Sequence, residues 1–498
     1  MLHSRKSRSL GVLIALAVFI TAAALNIKQD YELTYEMPAE PATMPSDLEE
    51  AQQLMEELTW QRFIAINWPA DGDQPKPNTD QNIPSGNSYQ TVWNNYGLNY
   101  DLYLLPDGTT PVPLSDVAGK RAQRKERWIK DCPNVLADGD APTDYIILDE
   151  FIEASLAPND PHHPLIDQNG EYVRTSVMYN DVLYDYVQGE GLYTYSGMLD
   201  YLNTAGLTPF QSTTTGNTTS QQFRVAIPNE SQMLKTSWKV LGDGDDPSKF
   251  FTKDVVFIFE NMNIEGNDFP VTCDILKVGL VGFHFTIKTE QQQSWVWSTF
   301  EHVDNVPDLN DEDPSGHYNF FDMASLSDDP LINKPSGPTD TTSFFKKNPY
   351  WYNPFTKGQK PNHIMREIPI GPETQALNKK YQEKLENTVW KNYQLVGSQW
   401  AYDYNQFTPQ LLSNSTLESY EQPQASCMGC HNLLSGNGNN SLQQALGNTP
   451  NLYAPLLSAT DTVDGKYYKK TLHADWMWSS FKIYPVGQLS WEQVRQLK

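Results

Sequence analysis

The repeat of apolar positions changes twice along the chain. Between residues 46 and 69 apolar side chains recur with helical spacing, at Leu54, Leu58, Phe63 and Ile66. The runs FRVAIP, DVVFIF and VTCDILKVGLVGFHFTIK, within residues 141–305, are instead rich in the β-branched and aromatic residues typical of strands. After residue 370 the helical spacing returns. This order predicts an α+β fold with a helical N-terminus, a β-rich middle and a helical C-terminal segment.

The first 25 residues have the pattern of an export signal. Basic residues in MLHSRKSRSL precede the apolar run GVLIALAVFITAAAL, which ends in small residues suited to cleavage. The run is short for a membrane span, so a cleaved signal peptide is favoured over an uncleaved membrane anchor. Residues 26–45, which contain Pro, Glu and Met, are predicted to be a flexible linker. Ser46 is the predicted N-cap of the first helix. The chain is therefore expected to be periplasmic or secreted, with no membrane span after cleavage.

The amino-acid composition and net charge limit the kinds of partner that this chain can bind. With 39% hydrophobic and 12% aromatic residues the chain can bury a large core. A formal net charge of −25 opposes binding to nucleic-acid phosphates and to anionic lipid surfaces, so no nucleic-acid partner is expected. Acidity also keeps an exported protein soluble. If the charge has a binding role, it favours a partner protein with a basic surface.

The stretch ASCMGCHN, residues 425–432, contains two of the four cysteines of the chain. Thiols three positions apart, followed directly by a histidine, form the C-x-x-C-H pattern of c-type haem attachment. In this pattern Cys427 and Cys430 each bond a haem vinyl group, and His431 ligates the iron from the proximal side. The sequence therefore predicts one covalently attached haem c.

Two other chemistries could use these cysteines. A zinc site would need Cys132 and Cys273 as its third and fourth ligands, without the usual second C-x-x-C pair. A redox dithiol would start a helix within a βαβ unit, and the polar residues before Cys427 predict no such unit. In an exported chain Cys132 and Cys273 are better explained as a structural disulfide.

The residue on the distal side of the iron decides between electron transfer and ligand binding. His302 is the first candidate, because Glu301 and Asp304 could orient its imidazole. His284, on the predicted strand VGLVGFHFTIK, is the second. Met477, with His473 near it, follows the motif along the chain, as the methionine ligand does in small cytochromes. Any of these histidines could instead form an ordinary structural hydrogen bond.

Several segments resemble a known group. SWVWSTFEHVDNVPD (294–308), SCMGCHN, WQRFIAINWP (60–69), TSWKVL (236–241) and VGFHF (281–285) are similar to segments of large exported bacterial proteins of the cytochrome c family. The resemblance extends over most of the mature chain. The resemblance implies a single bound haem. Because the group has no common substrate, the resemblance indicates no substrate for this chain.

These observations predict four regions: a signal peptide (1–25), a linker (26–45), an α+β main region (46–405) and a haem-binding segment (406–498). We favour an electron-transfer protein that docks a redox partner. The alternative is a haem-dependent oxidoreductase, with a substrate pocket lined by His284, His302, Trp295, Trp297 and Glu301. A binding or structural protein whose haem has no catalytic role is a third possibility.

Overall fold

The computed structural model describes most of the chain between residues 32 and 473. The described ranges are 32–102, 109–132, 146–148, 163–209, 211–259, 262–264, 267–269, 272–311, 314–326, 331–336, 358–403, 406–407, 411–432, 457–463 and 466–473. The predicted signal peptide and Met477 lie outside these ranges. Residues from Tyr35 onward form one compact unit.

Helices and strands are numbered in chain order. The helices are α1 Leu48–Ile66, α2 Asn99–Leu102, α3 Val117–Asp131, α4 Asp181–Gly189, α5 Tyr195–Thr204, α6 Pro372–Lys384 and α7 Cys427–Asn432. The first strands are β1 Gly97–Leu98, β2 Ile146–Leu148, β3 Arg174–Tyr179, β4 Gln211–Thr215, β5 Thr218–Arg224, β6 Gln232–Val240, β7 Thr252–Phe259, β8 Met262–Ile264 and β9 Asn267–Phe269. They are followed by β10 Thr272–Ile287, β11 Val296–His302, β12 Tyr393–Gln399, β13 Ala401–Asp403, β14 Gln406–Phe407, β15 Leu457–Val463 and β16 Lys466–His473.

The middle of the chain forms one large sheet, in which neighbouring strands follow the order β1-β3-β6-β10-β11-β12. All of these pairs are antiparallel. The long strand β10 also pairs with β7 through its first half, and β2 lies parallel to β7. In the β10–β11 pair His284 lies opposite Thr299, and Thr286 lies opposite Trp297. The prediction of a mixed fold with a β-rich middle is confirmed.

One face of the sheet packs against α1. The side chains of Phe283 and Phe300 lie on this face, because residues opposite each other in an antiparallel pair point the same way. Phe63 of α1 stacks on Phe300 with ring centroids 4.0 Å apart and meets Phe283 edge-on at 5.5 Å. The helix begins one residue later than predicted, because the side chain of Asp47, not Ser46, accepts hydrogen bonds from the first free N–H groups.

The opposite face, defined by His284, Thr286, Trp297 and Thr299, is called the motif face because helix α7 packs on it. An apolar cluster covers part of this face. It includes residues of β3, β6, α4 and α5 together with Trp295, Trp297 and Met428. The sheet therefore separates the N-terminal helix from the C-x-x-C-H segment.

The predicted linker is shorter than the composition indicated. Glu40 is buried and accepts a hydrogen bond of 2.6 Å from the Arg62 guanidinium, and its second oxygen accepts one of 3.1 Å from Thr289 Oγ1. Tyr35 meets Trp68 edge-on at 5.8 Å. These contacts attach residues 35–45 to α1 and to the end of β10, although the segment has no regular secondary structure.

The described residues of the C-terminal segment are less helical than predicted. They include the short helix α7, the two-residue strand β14 and the hairpin β15–β16, while residues 433–456 and 474–498 lie outside the described ranges. Strand β16 pairs in parallel with β5, more than two hundred residues earlier. The segment is thus joined to the middle region, as expected, but partly through strands. Within the described part of the chain, no helix is both long and apolar enough to cross a bilayer.

Candidate haem-attachment site

Helix α7 begins at the first cysteine of the motif, and contacts with the end of β12 fix its start. The Met428 N–H donates to Gln399 Oε1 at 2.9 Å, and the Gly429 N–H donates to Ser426 Oγ at 3.1 Å. Ser426 is therefore the side chain that caps the helix. Positions 427, 430 and 431 lie within little more than one helical turn and share one side of it. This is the spacing that two thioether bonds and one iron ligand from the same haem face require.

The imidazole of His431 packs on Trp297. The two ring centroids are 4.2 Å apart, with an interplanar angle of 37°. Trp297 is itself held in place, because its indole N–H donates to the Ser294 carbonyl at 3.0 Å. Cys427 is partly buried and contacts two apolar clusters, one containing Trp297 and the other formed by Ile370, Val396 and Leu412. The motif is therefore set against an apolar, aromatic part of the motif face.

A polar but buried segment, residues 413–419, holds the chain on the motif face ahead of α7. Asn414 Nδ2 donates to Thr299 Oγ1 at 2.9 Å and to the Phe300 carbonyl at 2.8 Å. Thr416 Oγ1 lies 2.5 Å from Ser237 Oγ. Both hydroxyls sit directly over Gly282, where a Cβ atom would collide with them. The absence of a side chain at Gly282 thus allows this close approach.

Glu301 anchors the same segment. It is fully buried, forms an ion pair with Arg366, and accepts hydrogen bonds from the Ser415 N–H at 3.1 Å and the Ser415 hydroxyl at 2.8 Å. Its oxygens are therefore occupied by structural partners. Glu301, which the sequence offered as a pocket residue, is thus engaged with Arg366 and Ser415.

His302 lies on the other side of the sheet from the motif. Its Nε2–H donates to the Lys249 carbonyl at 3.0 Å, its Nδ1 accepts from the Asp304 N–H at 3.1 Å, and its ring stacks on Phe250 at 4.5 Å. Burial lowers the pKa of His302 to about 4, so the neutral form persists. Five residues along a strand from Trp297, it is also roughly 16 Å away. The structure therefore places His302 on the face away from the motif, with both ring nitrogens hydrogen-bonded to the backbone.

His284 lies on the motif face. Its Nε2 is 3.1 Å from Glu418 Oε1, and the other oxygen of Glu418 accepts from the Asn414 N–H at 2.8 Å. Burial acts to raise the pKa of Glu418, but His284 and the Asn414 N–H together outweigh it, and the pKa is lowered. Of the two histidines that the sequence singled out on strands, the structure brings only His284 onto the face that contains Trp297.

Trp295, beside the site, has an unusual backbone conformation and an unusual hydrogen-bonding state. It is completely buried, its φ angle is +67°, and its ring centroid is 6.5 Å from that of Trp297. Its indole N–H finds no hydrogen-bond partner among the described residues. Left-handed backbone at a bulky residue costs roughly 1–2 kcal/mol, and a buried donor without a partner costs about 1–3 kcal/mol. The sequence offered Trp295 as a pocket residue, but nothing in it indicated this strain.

The remaining sequence candidates lie elsewhere. Cys132 and Cys273 form a disulfide with their Cα atoms 5.6 Å apart, so they cannot complete a zinc site with the motif cysteines. His473 is the last residue of β16 and pairs in register with Arg224.

Models of known protein families, curated proteins and solved structures all give no match to this chain. The assignment of the site must therefore come from its residues. Their chemistry fits a haem: a helix-borne C-x-x-C-H, an imidazole packed on an indole, an apolar wall and a buried hydrogen-bond donor.

Proposed function

We propose that this chain is an exported c-type cytochrome that binds one haem covalently through Cys427 and Cys430, with His431 as the proximal iron ligand. The position of the C-x-x-C-H motif on a short helix, with His431 against Trp297, supports this proposal most directly. A bound haem supplies one-electron chemistry by cycling between ferrous and ferric iron.

The protein residues have separable tasks in this proposal. Gln399 and Ser426 fix the start of α7 and so fix the spacing of the two thiols. Trp297 limits rotation of the His431 imidazole, and the apolar cluster on the motif face excludes water from this side of the site. A rigid, dry site of this kind reduces the reorganisation that accompanies electron transfer.

The distal side distinguishes two activities. His284 and its partner Glu418 form an ionisable pair on the motif face, which favours His284 over His302 as a sixth ligand. A firm ligand there favours electron transfer, which is the activity we propose. An open distal side would instead make His284 a proton donor or acceptor, and the chain a haem-dependent oxidoreductase.

The export signal, the predicted periplasmic or secreted location and a redox partner with a basic surface belong to the same proposal. Covalent haem attachment takes place outside the bacterial cytoplasm, and the Cys132–Cys273 disulfide is typical of the same oxidising compartment. The net charge of −25 would attract a basic partner, and added salt would weaken that association by screening the charges.

The decisive experiment is haem staining after denaturing electrophoresis, together with the absorption spectrum of the reduced protein. We expect haem to stay with the chain in the wild type and to be lost in the Cys427→Ala/Cys430→Ala variant. His431→Ala should retain the thioethers but lose the low-spin spectrum. The matched control is Cys132→Ser/Cys273→Ser, which removes the other two cysteines and should still stain. Zinc without haem in the wild type would refute the proposal.

A further inference from the structure

Trp295 differs from every other tryptophan whose side chain the structure describes. The indole N–H groups of the others all donate to a partner: Trp60 to Asn378, Trp68 to Asn78 and Gln81, Trp93 to Asn67, Trp238 to Thr236, Trp297 to Ser294, Trp390 to Tyr89, and Trp400 to Gln52. Trp295 alone in this group is fully buried with no partner among the described residues. A buried indole N–H usually finds a partner, so this exception calls for an acceptor.

Two other polar atoms in the same turn are also buried without a hydrogen-bond partner among the described residues. Ser294 Oγ and Gln292 Oε1 are buried and find no partner within the described part of the chain. The turn itself is well defined, because the Trp295 N–H donates to the Gln292 carbonyl at 3.0 Å. One turn thus presents an N–H donor, a hydroxyl and a carbonyl acceptor that no described residue satisfies.

The turn lies close to the C-x-x-C-H motif. Trp295 is 6.5 Å from Trp297, and Trp297 is 4.2 Å from His431, ring centroid to ring centroid. Trp295 also belongs to the apolar cluster that Cys427 contacts. The unsatisfied atoms therefore lie beside the proposed haem site rather than on a remote surface.

We infer that the turn Gln292–Trp295 binds a carboxyl group of the haem, with the Trp295 indole N–H as the main donor. The inference depends on the proposed function. Haem has two carboxyl groups, at the edge away from the vinyl groups that the cysteines would bond. A carboxyl group accepts from an indole and a hydroxyl, and in its protonated form it donates to the Gln292 amide oxygen. The set of atoms matches this group better than an apolar or a purely cationic ligand.

The left-handed backbone of Trp295 fits the same role. A φ of +67° is a conformation that glycine adopts easily and a tryptophan rarely does. Strain of this kind persists where a side chain must be held in one direction for a ligand. Trp295 is thus a binding and positioning residue that fixes one edge of the haem while the motif fixes the other.

The test is NMR of the ferrous, diamagnetic holoprotein labelled with ¹⁵N at its thirteen tryptophans. We expect the Trp295 indole proton to shift downfield and exchange slowly in the holoprotein, compared with the same chain produced without haem maturation. Trp295→Phe assigns the signal by its loss. If that variant does not fold, Ser294→Ala assigns it through a selective shift. An indole signal that is the same with and without haem overturns the inference.

A redox titration provides a second readout. Trp295→Phe should change the pH dependence of the midpoint potential, because the carboxyl group loses its main donor. The control is Trp238→Phe, the same substitution at a buried tryptophan that donates to Thr236. Equal pH dependence in both variants and the wild type contradicts the inference. Covalent haem with an unmoved Trp295 signal rejects this inference alone, whereas absence of covalent haem rejects it together with the proposed function.

Discussion

The ring of His431 lies against the ring of Trp297 on the sheet, at 4.2 Å between centroids. This contact determines which face of the sheet is relevant to the proposed iron site. In β11 His302 lies five positions after Trp297, an odd offset, so their side chains point to opposite faces. His284, paired across from Thr299, shares the face of Trp297. The His431–Trp297 contact therefore favours His284 over His302 as the candidate distal ligand, the reverse of the order that the sequence indicated.

The first prediction concerns the sixth ligand. If His284 ligates the iron, His284→Ala will convert a low-spin ferrous spectrum, inert to carbon monoxide, into one that shifts promptly on adding the gas. His302→Ala should leave the ligand state unchanged, since His302 is buried on the other face. An open site created by His302→Ala alone would contradict this assignment. No change in either variant would direct attention to Met477 or His473.

The second prediction is a pH dependence of stability. His302 is fully buried, and its pKa is lowered from the usual 6.5 to about 4. Between these values the unfolded chain binds a proton that the folded chain does not, so stability is intact above pH 6.5 and falls as the pH drops toward 4. The loss is up to about 3 kcal/mol at pH 4. Urea unfolding at pH 7 and pH 5 measures it.

His302→Gln should remove this part of the pH dependence, because glutamine does not titrate. The exposed His317 offers a matched control, and His317→Gln should keep the wild-type slope. A His302→Gln slope equal to that of the wild type between pH 7 and 5 would rule out the explanation.

The third prediction concerns the buried ion pair between Glu301 and Arg366, which anchors residues 413–419. Glu301→Gln removes the buried carboxylate partner of the Arg366 guanidinium and leaves it only the more exposed Asp308, 3.4 Å from Nε; breaking a buried pair typically costs about 3–5 kcal/mol. Backbone amides in 413–419 should also exchange faster, since the one oxygen that glutamine retains cannot accept from both Arg366 and Ser415. The control is Asp254→Asn. Its ion pair with Lys277 is exposed at 3.7 Å, and its loss should cost no more than about 1 kcal/mol. Similar losses in both variants would show that Glu301 is not an anchor.

The fourth prediction uses the close approach at Gly282. Gly282→Ala places a methyl group against the hydroxyls of Thr416 and Ser237, and overpacking of this kind typically costs about 1–3 kcal/mol. Because the displaced segment leads into α7, the fraction of chains with haem should also fall. Gly244→Ala, where a Cβ would meet nothing within 4 Å, provides the matched substitution. Full haem content in Gly282→Ala would show that the segment does not position the motif.

Local signals predicted much of this fold. The helical spacing before Pro69 and two of the β-branched runs of the middle gave α1 and the strands β7 and β10, because each depends on its own residues. The third run, FRVAIP, overlaps only the last two residues of β5. The C-x-x-C-H motif is a local signal as well, and it located the candidate site.

Features set by distant residues could not be predicted. The strand character of 466–473 depends on a parallel partner, β5, far away in sequence, and the order of residues 35–45 depends on Arg62 and Thr289. The contacts of Glu301 and His302 could not be predicted either, because their partners, Arg366 and the Lys249 carbonyl, are distant in sequence. Nothing local to Trp295 reveals its left-handed backbone.

The Cys132–Cys273 disulfide has a consequence for the order of events during biogenesis. Four thiols can pair in three ways, and one of those pairings also bridges the two cysteines of the motif. If the chain is exported N-terminus first, as proposed, Cys132 and Cys273 meet the oxidising machinery well before Cys427 and Cys430. Once the early pair is closed and Cys132 is buried, a late thiolate has poor access to that disulfide, so mixed bridges are disfavoured. The two late thiols then need protection mainly from each other until the proposed haem is attached.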